Sequence, residues 1–159
     1  MHVSARSDYA IRAAAELAAA GDAMKGDRIA EAQSIPLKFL ENVLLELKHA
    51  GIVSSRRGAS GGYRLARPAN EISLADVIRA VDGPMANVRG QRPEEVEYAG
   101  PAASLREVWV AVRASLREVL EATSLADLVS GHLPARVGEL TADPEAWVSL
   151  GRIRGTSPN

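Results

Sequence analysis

Residues 36–67 read "PLKFLENVLLELKHAGIVSSRRGASGGYRLAR", and the fold turns on this stretch. Its first half has the marks of a helix, with Pro36 at the first turn and Gly51 as the stop. Leu37, Leu40, Leu44 and Leu47 fall on one stripe and read as core. The same arithmetic sends Lys38, Glu41, Asn42, Leu45, Lys48 and His49 to the opposite face. The second half reads as a hairpin: "IVSSR" and "YRLAR" alternate in polarity, and a glycine-rich segment joins them. From Lys48 to Asn70 there is no Asp or Glu, although the whole chain carries a net charge of −1. A positive patch in a balanced chain points to a local anionic partner rather than a general attraction.

Outward from that stretch, the periodicity predicts a helix over residues 5–20, with Tyr9, Ile11, Ala14, Leu17 and Ala18 near helical spacing and Gly21 after it. A short helix is expected over 27–33. Downstream, "SLADVIRAVDG" predicts a helix with Ser73 as N-cap, Asp76 at the third position and Gly83 at the end. Residues 84–103 hold three prolines and two glycines without a clear period and read as a loop or linker. Residues 104–123 give the strongest helical pattern, with Ser104 and Glu107 in capping-box spacing. Its stripe of Leu105, Val108, Trp109, Val112, Leu116, Val119 and Leu120 follows a domain that already has its own core, so a partner helix explains it best. Ser124 and Asp127 open a further short helix ending near Gly131, and residues 132–159 read as a flexible tail.

Composition narrows the chemistry. The 159 residues include no cysteine, which excludes disulfides, thiol catalysis and Cys-ligated zinc or iron–sulfur clusters. His2, His49 and His132 are widely spaced, so no metal site is expected. No nucleophile–base or paired-carboxylate constellation suggests an enzyme. Arg12 and Glu16 interrupt the small-residue N-terminal run that would otherwise resemble a signal peptide, and no uncharged run nears membrane-span length. A cytoplasmic protein is expected. The glycine stretch fits neither the P-loop spacing nor the dinucleotide fingerprint.

Three helices followed by a basic hairpin is the order of a winged helix, whose third helix enters the major groove of double-stranded DNA. The expected fold is therefore mainly α with one small β-hairpin: a winged helix-turn-helix domain over 1–83, a linker over 84–103, and a long helix with a short successor over 104–131. Asn42 suits a bidentate bond to adenine, Lys38 suits guanine or phosphate, and Glu41 suits cytosine or the orientation of Lys38. Phe39 fits either a thymine methyl or a plug against neighbouring helices. Arg57, beside Arg56 at the wing base, suits a narrow minor groove. Gly61 and Gly62 can supply positive φ angles and let the tip approach another surface.

The pieces "SDYAIRAAAEL", "IAEAQSIPLKFLENVLLELKHAGIVSSRRGASGGYRLARP" and "ISLADVIRAVDGP" resemble, in order, the Rrf-two (Rrf2) family of bacterial transcriptional regulators. The resemblance implies a homodimer, paired through its long helices over a palindromic operator, and the expected role is that of a repressor. By position, it implies recognition-helix roles for Lys38, Phe39, Glu41 and Asn42 and a minor-groove role for Arg57. Many members hold an iron–sulfur cluster with three cysteines in the loop after "DGP"; here "MANVRGQRPEEVEYAGPAAS" has none, so no cofactor is expected. Two alternatives stay open. A small-molecule effector could bind an apolar pocket near Met85 and Trp109, or the winged helix could serve as a protein-interaction module.

Overall fold

The computed structural model describes residues 3–148. Seven helices and one hairpin follow in order: α1 (Ala5–Ala20), α2 (Gly26–Gln33), α3 (Leu37–His49), β1 (Val53–Arg56), β2 (Gly62–Leu65), α4 (Leu74–Asp82), α5 (Leu105–Ala122), α6 (Leu125–Ser130) and α7 (Ala135–Thr141). This is the mainly helical winged helix-turn-helix that the sequence predicts. Among the described residues, no helix is long and apolar enough to cross a membrane.

The core forms where α1 meets α3 and α4. Ala10, Ala13 and Ala14 of α1 are fully buried, and their small side chains let neighbouring helices approach closely. Leu40, Val43, Leu44 and Leu47 of α3 complete the cluster with Ile29, Ile52, Val53, Ile72 and Val77. Val43 thus takes the place that the sequence reading gave to Leu37, which is 43% exposed. Leu37 sits in the first turn of α3, where its side chain lies near Gly26 at the start of α2 rather than in the core. Between α2 and α3 the chain turns at Ser34, a non-glycine residue in the left-handed region (φ 52°).

Two N-caps behave as their spacing predicts. The Ser73 hydroxyl accepts from the Asp76 N–H while the Asp76 carboxylate accepts from the Ser73 N–H. Ser124 and Asp127 make the same reciprocal pair at α6. Ser104 does not: its backbone (φ −79°, ψ 2°) is already near-helical, its side chain caps nothing, and Glu107 pairs with Arg106 instead. The two ends of the first domain are also tied together. Burial pushes the Asp82 carboxyl up, but hydrogen bonds from the hydroxyls of Ser4 and Ser7 and the nearby Arg6 outweigh it and hold it below the usual range.

The second half of the chain departs from the expected division. α6 does not travel with α5 but returns to the first domain. The Leu74 N–H donates to the Thr123 carbonyl and the Leu125 N–H to the Ile72 carbonyl, each at 2.9 Å, an antiparallel bridge between Ser73 and Ser124. Leu125 is then fully buried in the main core, and α6 packs along α1. Residues 84–103 are more than a linker. Pro93 and Val96 are buried, a 3₁₀ turn at Pro93–Glu95 packs on α5, and the Trp109 indole N–H donates to the Tyr98 hydroxyl at 3.0 Å. Within the expected flexible tail, residues 135–141 form α7, which starts after Pro134 and is held to α5 by Arg136, paired with Glu118. Residues 149–159 lie outside the described part.

The return of α6 yields a test. Leu125→Ala removes a fully buried side chain from the same core as Leu44, and both substitutions should destabilise one cooperative unfolding transition by about 2–5 kcal/mol. Urea denaturation followed by circular dichroism measures this. A Leu125→Ala protein with an unchanged midpoint would separate α6 from the winged domain.

Candidate nucleic-acid interface

The recognition face follows from the burial of the other side of α3. With Leu40, Val43, Leu44 and Leu47 facing inward, Lys38, Glu41, Asn42, Leu45, Lys48 and His49 are all exposed. Helix α3 begins without a capping side chain and with no acid in its first turn, so its leading N–H groups and dipole are unopposed by its own residues. Lys38 and Glu41 form no ion pair with each other among the described residues, so the expected orienting contact is absent in the free chain. Phe39 packs against a neighbouring helix in part. Its ring meets Tyr9 edge-on at 5.4 Å, yet it remains 38% exposed at the border of the outer face.

The wing stands beside this helix. The Lys48 ammonium donates to the Ser55 hydroxyl at 2.8 Å, joining the last turn of α3 to β1. In the antiparallel register Val53 faces Leu65, Ser54 faces Arg64, Ser55 faces Tyr63 and Arg56 faces Gly62. Alternation therefore divides the hairpin into two faces. Val53, Tyr63 and Leu65 turn to the core, while Arg56 and Arg64 share the other face. The sequence reading missed Arg64; the alternation in "YRLAR" was the signal that could have found it. Among the described residues, none of Lys38, Arg56, Arg57 and Arg64 has an acidic partner, whereas most arginines elsewhere are paired. Arg57 lies on the exposed tip after β1.

The glycines work differently from the expectation. Gly58 (φ +112°) and Gly62 (φ +146°) carry the positive φ angles, and Gly61 does not. Gly61 is buried, and a Cβ there would sit 2.3 Å from the Arg56 carbonyl oxygen. At Gly62 a Cβ would sit 2.6 Å from the Met24 carbonyl oxygen. The close approach is thus to the chain itself: Met24 and Tyr63 exchange two backbone hydrogen bonds of 2.8 Å, an antiparallel bridge alongside β2. Gly61 and Gly62 hold the wing's shape, which in turn carries the arginines.

On α5 the expected stripe is exposed or half-buried along its length, and no residue of the helix is fully buried. Val108 and Val112 are 51% and 40% exposed, whereas Leu105, Trp109, Leu116, Val119 and Leu120 are half-buried. The single apolar pocket expected near Met85 and Trp109 is instead two hollows. Trp109, Val112 and Leu116 line one of about 350 Å³, and Met85 lines another of about 240 Å³ among arginines.

This geometry has close relatives. Residues 3–131 match the model of the family Rrf2, described as an iron-dependent transcriptional regulator. Over 151 residues the chain is 48% identical to Rv1287 of Mycobacterium tuberculosis, named as an HTH-type transcriptional regulator, covering 94% of each. The solved structure of CymR, the global cysteine regulator of Bacillus subtilis, aligns with a TM-score of 0.70 at 33% identity over 82% of this chain and 97% of that one. The structure of IscR from T. potens aligns with a TM-score of 0.67 at 29% identity over 95% and 94%.

The three wing glycines are expected to respond unequally to alanine. Gly61→Ala and Gly62→Ala force backbone to move and should lower stability by about 1–3 kcal/mol. Gly58→Ala meets nothing within 4 Å and should cost only its φ penalty, about 1 kcal/mol. Thermal melts of the three variants check the order; equal losses would mean that the clashes do not set the wing's shape.

Proposed function

The chain belongs to the Rrf2 family of bacterial helix-turn-helix transcriptional regulators, and from that premise we propose how it engages DNA. It binds as a homodimer to a two-fold-symmetric operator, with α3 in the major groove of each half-site and the wing along the adjacent minor groove or backbone. The observation that carries this reading is that Lys38 and Asn42 on the outer side of α3, and Arg56, Arg57 and Arg64 on the hairpin that follows it, are all exposed, and that among the described residues none of the four cations has an acidic partner. Asn42 reads a base edge, Lys38 and Glu41 contact bases or set register, and the wing arginines neutralise phosphate. The reading unit comprises residues 3–83 together with α6. The apolar face of α5, incompletely covered by its own chain, meets its counterpart in the second copy.

The iron dependence in the family's description does not extend to a cluster held by these residues. The chain has no cysteine, so no thiolate is available for iron–sulfur ligation. In the loop after α4, Glu94 is paired with Arg113 and Glu95 accepts from the Arg92 N–H at 3.2 Å. Among the described residues, no group of three or more His, Asp or Glu stands ready for a metal. Control by an organic effector, a partner protein or protein abundance is the proposal that remains.

On DNA, Asn42→Ala should cost about 1–3 kcal/mol at the cognate base pair and leave non-specific affinity nearly unchanged. Arg57→Ala should weaken binding to all sequences and reduce the slope of log affinity against log salt by about one unit for each phosphate lost. Fluorescence anisotropy with operator and scrambled duplexes measures both, and an unchanged slope would remove Arg57 from the interface.

For the dimer, the residues to alter are Val108 and Val112, because their exposure in the single chain spares its own packing. Glutamate at both positions would bury unpaired charge in an apolar seam, at a cost of several kcal/mol to association. Light scattering should report a monomer with an intact circular-dichroism spectrum. A persistent dimer would assign the interface to another surface.

A further inference from the structure

Behind the reading face, four arginines from three separate elements converge on one hollow of about 240 Å³: Arg79 of α4, Arg92 of the following loop, and Arg113 and Arg117 of α5. Pro84, Met85, Asn87, Pro93 and Glu94 complete its wall. Three carboxylates answer the four guanidinium groups. Glu94 pairs with Arg113, Glu121 takes both Arg79 and Arg117, the latter at 2.9 Å, and Asp76 stands 3.7 Å from Arg79. Glu94 and Glu121 are held in the charged form. A backbone hydrogen bond at Glu94, and then Arg113 and Arg92, keep its carboxyl below the usual range against a burial penalty; hydrogen bonds from Arg117 and Arg79 do the same for Glu121. Arg92 has no ion pair among the described residues.

We propose that this hollow is a binding site for a small dianion, a phosphate monoester or a dicarboxylate, gripped between α4, the loop and α5. The geometry supports this in three ways. The surplus of arginine over carboxylate leaves positive charge in a concave site, where guanidinium forks favour bidentate bonds to planar or tetrahedral oxyanions. Arg113 is only 22% exposed in its side chain, so part of that charge is withdrawn from water. The volume is below that of drug-sized pockets and admits an anion of few heavy atoms. No residue of the hollow belongs to the α3–wing face, so the site is distinct from the DNA interface. The loop that forms its rim is the same one that packs Tyr98 on Trp109, so an occupant would also brace the loop against α5.

The test uses the full chain without DNA, so its failure is separate from any failure of the operator reading. Thermal unfolding is followed in 10 mM phosphate, glycerol phosphate, succinate or malate, each against sodium chloride of equal ionic strength. At least one of these dianions should raise the midpoint by about 3 °C over the chloride control. A response to the phosphates alone assigns a phosphoryl ligand, and a response to the carboxylates alone assigns a dicarboxylate. Arg92→Gln, which removes the arginine that has no ion pair, should lose at least half of the shift while keeping the parent's midpoint in chloride and its operator affinity. Arg117→Gln serves as a second variant, read by calorimetric titration with the responding anion, with an expected loss of about tenfold in affinity. No shift beyond the chloride control with any of the four anions, or a shift retained in both variants, overturns the proposal.

Discussion

Everything about the reading head depends on the burial of one side of α3. Leu40, Val43, Leu44 and Leu47 are sealed against α1 and α4, and the alanines of α1 make that contact close. A helix with one face fixed so tightly has no rotational freedom, so its opposite face is set in orientation as well as composition. Lys38, Glu41, Asn42 and Leu45 point outward because the leucines cannot. An apolar side chain moved from one face to the other would turn the whole polar row to a new orientation before it altered any contact directly.

The wing depends on a second, smaller constraint. Its two strands are only four residues each, too short to stand alone. The exchange of hydrogen bonds between Met24 and Tyr63 adds a rung from the segment between α1 and α2, and Gly62 permits the approach. Lys48 ties the other strand to the end of α3. Helix and wing therefore hold a fixed relative position before any partner arrives, which lowers the ordering cost of binding.

Signals confined to a few adjacent residues were legible in the sequence. The α3 stripe, the Ser73 and Ser124 caps, the hairpin with its acid-free surroundings and the fold itself all follow from such local patterns. What escaped depended on contacts distant in sequence. Nothing near Leu125 announces that it completes a core begun at Ala10, because that placement rests on backbone pairing with Ile72. Leu37 fits the period but lies in the first turn near Gly26, outside the core, and Ser104 has the cap's residue types on a backbone already coiled. Gly61 has the composition of a tip that meets an external surface, yet its neighbour is the carbonyl of Arg56. Arg64 is visible only in the alternation, away from the arginines closer to the tip.

The closure of the winged domain by α6 bears on how such a chain diversifies. Because the chain leaves the domain after Gly83 and rejoins it at Ser124, residues 84–123 are an excursion whose return is stitched to the segment that enters α4. The excursion can change its length and contents at modest entropic cost, since the stitch, not the excursion, holds the ends in place. A lineage can therefore discard cysteines from that stretch and recruit arginines there while the part that reads DNA keeps its packing. The loop over residues 84–103 can therefore vary in what it binds, whereas α5 stays constrained by the apolar face it presents.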